Sequence, residues 1–433
     1  MKAGLVGGGN FDASAPIVVL TLSRNLIQHG VVGVARSAGR LGIPVHWLHN
    51  QATPLAAASR YMTGHYCVQD DGSLGAADWI DRLLHIGDAL GGRPVLIPTD
   101  DAGAILVDDH AGVLQRQFRF PSRPAGLARS LSNKKELHRL CSRVGIRSPD
   151  AVFPATHDDA LAYASAGSFP VVMKRIEESP RADDTLKSVL IVETPEKLKR
   201  VVEGLDESTV RNIMLQEYIP GGIGSVCMYN AYFDGRSQCL AAFTGEKLRE
   251  YPAYTGMASL GICKRNALIE EKTEKFLTQV GYSGIVDLGY RYDAHKSEYV
   301  ILDVNPRIGA TFRLFVDANG LDVLRAAYLD LTGQTVTASP ATLAGRKWAV
   351  EHHDLVSSYR YLRDRRLTLR QWISSLRGIQ ETAWFARDDL RPAIRLFAHL
   401  AVRAVLAPRD YGARLLRIDA LATRRSDHEA QKP

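Results

Sequence analysis

Between residues 301 and 307 the chain reads ILDVNPR, an apolar strand that ends on a carboxylate, an amide and a guanidinium at alternate positions. Residues two apart on a strand face the same side, so Asp303, Asn305 and Arg307 are expected to share one space. A buried carboxylate is costly unless a cation or hydrogen-bond donors satisfy it. Asp303 and Asn305 offer hard oxygens, the ligands magnesium prefers when phosphates complete its shell. In VDLGYRYDAHKSEYVILDVNPR two strands flank the polar turn DAHKS, and such a hairpin brings a second carboxylate, Asp287, toward Asp303. From the residues alone the cluster reads either as a metal–phosphate site or as a hydrogen-bonded network closing the strand end.

A chain of 433 residues is too long for one ordinary core, so two or three subdomains are expected. Its 45% hydrophobic and 23% charged residues are those of a soluble globular protein. MKAGLVGGGN lacks the basic, apolar and cleavage regions of a secretory signal, and no run of apolar residues is long enough to span a bilayer. Cys67, Cys141, Cys227, Cys239 and Cys263 are scattered with no CxxC pair, which favours reduced structural thiols in a cytoplasmic protein. The net charge of +7 suits nucleic acid, an acidic membrane surface or an anionic small ligand alike, and its arginines concentrate in the C-terminal third.

APIVVL followed by RNLIQHGVVGVARSAGRLGIPVHWLH is a strand, a helical segment and a second strand, a βαβ beginning. The early GGGN lacks the full dinucleotide pattern and reads as a turn or a phosphate-neighbouring loop. RPVLIPTDDAG is a strand ending in Asp100 and Asp101, which are either substrate-side residues or helix caps. From about residue 125, SNKKELHRLCSRVGIRSPD reads as a capped helix ending at Gly145, SFPVVMK as a strand ending on Lys174, and NIMLQEYIPGG as a strand entering a glycine turn. From about 221, VCMYNAYFDGRSQCLAAFTGEKL reads as two antiparallel strands around DGR. Beyond 340 the pattern is largely helical, with Arg395, His399 and Arg403 as a polar stripe on an apolar helix. Docking onto the main body and contact with a membrane surface or partner are the readings of that helix. The tail RRSDHEAQKP reads as disordered.

Lys134, Lys174, Arg307 and the Lys247–Arg249 pair could together neutralise a polyphosphate and charge developing during phosphoryl transfer, although each alone reads as a surface residue. Neither a P-loop nor a kinase HRD or DFG set is present. QEYIPGG offers the extended backbone and apolar side chains that adenine needs.

Taken in order, SNKKEL, FPVVMK, LQEYIPGG, FTGEKLREYP, GIVDLGYRYD and ILDVNPRIG resemble the ATP-grasp superfamily. The likeness is to its carboxylate–amine ligases, a group that includes D-aspartate ligases and relatives of carbamoyl-phosphate synthase and biotin carboxylase. It covers roughly residues 15 to 335. It implies a mixed α/β and α+β architecture: a pre-grasp α/β domain (1–125), a small lobe acting as lid (126–220), a large lobe with the metal site (221–338) and a mainly helical extension (339–433). It implies ATP with Mg2+, or Mn2+, as cofactors. Lys134 and Lys174 resemble the phosphate-contacting lysines, and Gln216, Glu217, Tyr218 and Ile219 the hinge around adenine. Asp287, Asp303 and Asn305 match the metal ligands, Arg307 the arginine beside the transferred phosphate, and Lys247 with Arg249 a segment reaching phosphate or substrate. Two departures stand out. Many relatives carry Glu where Asp287 and Asp303 are one methylene shorter, and the ribose-side acid is replaced by Ser225.

The implied reaction joins an acid to an amine through an acyl phosphate, releasing ADP and phosphate. Arg313 is a candidate cation for the acid substrate. The rivals are a carboxylase using bicarbonate and a non-catalytic ATP-binding module; the complete set of cations and metal ligands argues against the latter. The partners expected are small molecules rather than nucleic acid, because no recognised nucleic-acid motif accompanies the basic tail. A homodimer is one assembly open to such a chain.

Overall fold

The computed structural model describes residues 11–24, 28–70, 72–176, 189–222, 224–339 and 343–406. The GGGN stretch and the RRSDHEAQKP tail lie outside the described residues. Three sheets follow one another along the chain.

The first is parallel, ordered β3-β2-β1-β4, from β1 (Ile17–Thr21), β2 (Val45–His49), β3 (Gly64–Cys67) and β4 (Val95–Pro98). Every residue of β1 is buried, as expected of a parallel strand covered on both faces. Around it lie α1 (His29–Gly39), α2 (Ala76–Leu90), α3 (Asp101–Asp109) and α4 (Ala111–Leu114), while α5 (Leu127–Ser132) and α6 (Lys134–Val144) pack through Leu131, Leu137 and Cys141 on a core that includes Tyr229 and Val304. SNKKEL does cap α6: the Asn133 side chain accepts from Lys135 N and Glu136 N, and Gly145 ends the helix in the left-handed region.

The second sheet is antiparallel, ordered β5-β8-β6-β7, from β5 (Ala151–Val152), β6 (Val171–Arg175), β7 (Val189–Val192) and β8 (Ile213–Glu217). With α7 (His157–Ala166), α8 (Pro195–Glu203) and α9 (Glu207–Arg211) it closes its own core around Val171, Met173, Leu198 and Leu215.

The third has seven strands, ordered β13-β12-β9-β10-β11-β14-β15. They are β9 (Val226–Phe233), β10 (Cys239–Tyr251), β11 (Met257–Cys263), β12 (Gly284–Asp293), β13 (Glu298–Asn305), β14 (Lys347–Ala349) and β15 (Ile379–Thr382). Its helices are α10 (Ala267–Gln279), α11 (Val323–Leu331), α12 (Glu351–Arg363), α13 (Leu369–Leu376) and α14 (Arg391–Leu406). Both expected hairpins form, β9 with β10 and β12 with β13. The C-terminal segment does more than add helices: β14 extends the sheet from β11, and β15 pairs with β14 in parallel.

That segment is built into the body. Val31 and Val34 of α1, Met228 and Phe243 of the large sheet, and Trp348 and Leu396 of the C-terminal segment share one apolar core. Arg36 of α1, 1% exposed, donates to the Asp389 carboxylate and to the carbonyls of Ala383, Trp384 and Asp389. Nearby, His29 sits among Trp348, Trp384 and His353, while His353 stacks on Tyr251 at 4.2 Å and lies 4.1 Å from His352. Burial holds all three imidazoles below their ordinary range, His352 to about 4 and His353 to about 3.

The five cysteines are free, and burial pushes the Cys141, Cys227 and Cys239 thiols up to about 12, which leaves them unreactive. Among the described residues no helix is long and apolar enough to cross a membrane.

Candidate active site

Three neighbouring strands carry a polar row. Asn230 of β9 is in register with Asp287 of β12, which is in register with Asn305 of β13. Asn230 Nδ2 donates to Asp287 Oδ1 at 2.8 Å, and Asn305 Nδ2 lies 3.3 Å from Asp287 Oδ2. Burial raises the Asp287 pKa, an effect opposed by the Arg307 guanidinium. Asp303 falls opposite Gly289, where a Cβ would come within 2.1 Å of its Oδ1, and a Cβ on Gly309 would lie 2.7 Å from Asp287 Cγ. Both glycines therefore make room for a carboxylate.

Asp303 itself is exposed, so the expectation of a buried acid on the last strand is corrected: Asp287 is the more sheltered, half-buried one. The donors are hard oxygens suited to magnesium, and the buried Asn230 Oδ1 has no hydrogen-bond partner. Among the described residues no three His, Cys, Asp or Glu side chains could hold a metal by themselves. Asp287, Asp303 and Asn305 thus fit an ion whose shell is completed by phosphate and water.

Cations from separate elements gather with Asp303 around Lys174. Lys174 on β6 is lowered to about 8, first by burial and then by repulsion from Lys134, Lys247 and Arg291, with Asp303 opposing the shift. Lys134 stands at the start of α6. Lys247 Nζ donates to Gly256 O at 3.0 Å and lies 3.5 Å from Glu250 Oε1. Arg291 and Glu250 were not anticipated. Arg291 lies two pleats beyond Asp287 on the same strand, and that spacing was a readable signal. Its Nη2 donates to Gly221 O at 3.1 Å. Glu250 is raised by burial, which Lys247 and Arg291 oppose.

Arg249 does not join this group. Lys247 pairs with Gly261 and Arg249 with Leu260, so Leu248 is an extra residue in the ladder. A bulge breaks the two-residue alternation. Arg249 turns onto α12, where Nε and Nη2 each reach an Asp354 oxygen at 2.8 Å and Nη1 donates to Ser375 Oγ. It is 3% exposed and committed to that carboxylate, which corrects its assignment to phosphate or substrate.

Arg307 is half-buried against α3: Nε donates to Asp101 Oδ1 at 3.0 Å, and Nη2 lies 3.3 Å from Asn305 Oδ1. Asp101 is therefore at the site. Asp100 caps α3 through Gly103 N and accepts from Leu22 N and Ser23 N, which is its helix-capping reading. Arg313 is bound to Asp322 and, through Nε and Nη2, to Glu381, so it is not a free cation for an acid substrate.

The four residues expected at the hinge run from the end of β8 into the turn beyond it. Gln216 and Ile219 are buried and Tyr218 half-buried. The Glu217 carboxylate is engaged by Arg147 Nη2 at 3.1 Å and Asp150 N at 3.2 Å. Ser225 Oγ donates to Gly222 O at 2.7 Å, closing the glycine turn.

A parallel layer, a small antiparallel sheet and a large one, meeting over two carboxylates and several cations, make up the ATP-grasp fold. No family model matches the chain. It is similar to the D-aspartate ligase of Enterococcus faecium (strain Aus0004), 25% identical over 240 residues, 53% of this chain. That match spans 57% of the ligase's own length. Among solved structures it resembles the L-amino acid ligase from Bacillus licheniformis, with a TM-score of 0.55 and 14% identity over 75% of this chain and 78% of that one. It also resembles the biotin carboxylase domain of Hydrogenobacter thermophilus 2-oxoglutarate carboxylase, solved with MgADP and bicarbonate. There the TM-score is 0.54 and the identity 15%, over 76% of this chain and 73% of that one.

Proposed function

We propose that the chain is an ATP-dependent carboxylate–amine ligase, forming an amide through an acyl phosphate and releasing ADP and phosphate. The observation that carries this reading is the gathering of Lys134, Lys247, Arg291 and Asp303 around Lys174, beside Asp287, Asn305 and Arg307. The likeness to a D-aspartate ligase supports the choice of reaction class.

In this reading residues 126–220 are the lid and 221–338 the lobe beneath it. Gln216 to Ile219 border adenine, with Ser225 near the ribose. Lys134 and Lys174 hold the phosphates, and Lys247 and Arg291 offset charge on the transferring phosphoryl group. Arg307, positioned by Asp101, faces the acid oxygen that attacks the γ-phosphate. Magnesium or manganese on Asp287, Asp303 and Asn305 would supply Lewis-acid neutralisation of the phosphate oxygens. Closure of the lid keeps water from the acyl phosphate until the amine attacks.

The test is ATP-dependent phosphate release with Mg2+, screened against pooled carboxylic acids and pooled amines, with Asp303→Asn as control. Release that requires one acid and one amine and is lost in the variant is the expected result. Release that needs bicarbonate and no organic acid assigns a carboxylase. Nucleotide binding without release under any pool would sink the ligase reading, and unchanged turnover in the variant would sink the metal assignment.

A further inference from the structure

A second feature lies away from the phosphate site, where α14 crosses the short 3-10 turn Leu55–Ala58. One face of α14 docks: Ala393 and Leu396 are buried and Leu400 packs on the same core. The opposite face carries Arg391, Ile394, Arg395, Ala398, Val402 and Val405 at helical spacing. Ile394 is 63% exposed, Val402 55% and Val405 77%, and Phe397 on its flank is 48% exposed.

Between helix and turn opens a cavity of about 490 Å3 with Arg60, Arg391 and Arg395 around it and Ala57, Met62 and Ile394 as apolar lining. The nearest carboxylates are already consumed. Asp389 serves Arg36, Ser59 Oγ and Arg60 N, while Asp388 serves Arg40 and the Tyr61 hydroxyl. The surrounding charge is one-sided. Residues 343–406 hold twelve Lys and Arg against six Asp and Glu, almost all of the chain's net +7.

We propose that α14 and this cavity are a docking site for an anionic phospholipid surface, independent of the ligase reading. The cavity takes a lipid phosphate between Arg60, Arg391 and Arg395, while Ile394, Phe397, Val402 and Val405 enter the acyl boundary. Guanidinium groups match phosphate through paired donors. Exposed apolar side chains interleaved with arginines on one helix face suit an interface that is charged above and greasy below. Nucleic acid would use the arginines but gain nothing from the valines. At 16 residues the helix is about 24 Å long, enough to lie along a surface and too short to cross one.

The experiment is co-sedimentation of the full chain with vesicles of phosphatidylcholine alone or mixed with phosphatidylglycerol. Binding to the anionic vesicles only, released by added salt, is expected. Arg391→Ala and Arg395→Ala should each weaken partitioning about fivefold. Ile394→Asp combined with Val402→Asp should abolish it, with the melting temperature and nucleotide binding unchanged because both residues face outward. Equal binding to neutral vesicles, or binding that survives these substitutions, overturns the proposal. So does a chain that ignores vesicles yet is stabilised by inorganic phosphate through Arg391 and Arg395, which would assign a soluble anion. Self-association lost in the Ile394→Asp, Val402→Asp variant, without vesicle binding, would assign the face to a second copy and overturn it equally.

Discussion

Arg307 Nε donates to Asp101 Oδ1 across 3.0 Å, joining the end of the carboxylate-bearing strand to the first turn of a helix in the parallel layer. The guanidinium is thereby held by a group outside its own sheet. Asp101→Asn should leave nucleotide affinity within about twofold and lower turnover roughly tenfold, because a misplaced Arg307 no longer meets the transition state. Arg307→Lys should cost about a hundredfold or more, since an ammonium cannot reproduce the planar fork. Phosphate release at saturating ATP, compared with ADP titration, separates the two effects.

Lys174, lowered to about 8 by burial and by neighbouring cations, carries a prediction about protons. Around pH 9 the empty site holds it largely neutral, whereas a bound triphosphate favours the ammonium. Binding should therefore take up close to one proton in that range and almost none below pH 7, where the lysine is already charged. Calorimetry of nucleotide binding in buffers of differing ionisation heat measures this. Proton uptake that persists in Lys174→Met would assign it to another group.

The His29, His352 and His353 group makes the fold acid-sensitive. Each is lowered from the usual 6.5 by burial, so the folded chain binds fewer protons than the unfolded one as pH falls. Their contribution is fully present above about pH 6.5 and declines below it, by roughly 1–2 kcal/mol per histidine at pH 5. Urea unfolding at pH 7 and pH 5 should show the loss, and His29→Phe should flatten it. An equal slope in that variant would contradict the account.

Arg249 and Asp354 form a buried two-point pair, and removing either partner strands the other. Arg249→Ala or Asp354→Ala should destabilise the chain by about 3–5 kcal/mol. Nucleotide affinity of the folded fraction should be unaltered. A stable Arg249→Ala variant that has lost phosphate affinity would restore Arg249 to the active site.

Local signals made much of this legible. The DAHKS turn and the alternation around it placed Asp287 beside Asn305, and SNKKEL announced its own cap. Other parts depended on information that a strand pattern does not carry. The extra residue Leu248 displaces Arg249 from the alternation before the register recovers at Glu250, and only the ladder reveals it. Arg313 was read as a substrate cation because its partner Glu381 is 68 residues away. The β14 and β15 strands have three and four residues, too few for alternation to register. Asn230 was within reach as the one polar side chain besides tyrosine and cysteine in VCMYNAYF, yet its partner could be named only once β9 lay beside β12.

The enclosure of Arg36 has a consequence for anyone recombining such chains. Its acceptors all come from residues 383 to 389, and the strand leading toward them is pinned to the large sheet. Cutting before Lys347 would strip two strands, β14 and β15, from the large sheet and leave an orphaned guanidinium inside the core. A chimera that grafts this segment onto another scaffold must carry α1 with it, because the two ends of the sequence are halves of a single joint.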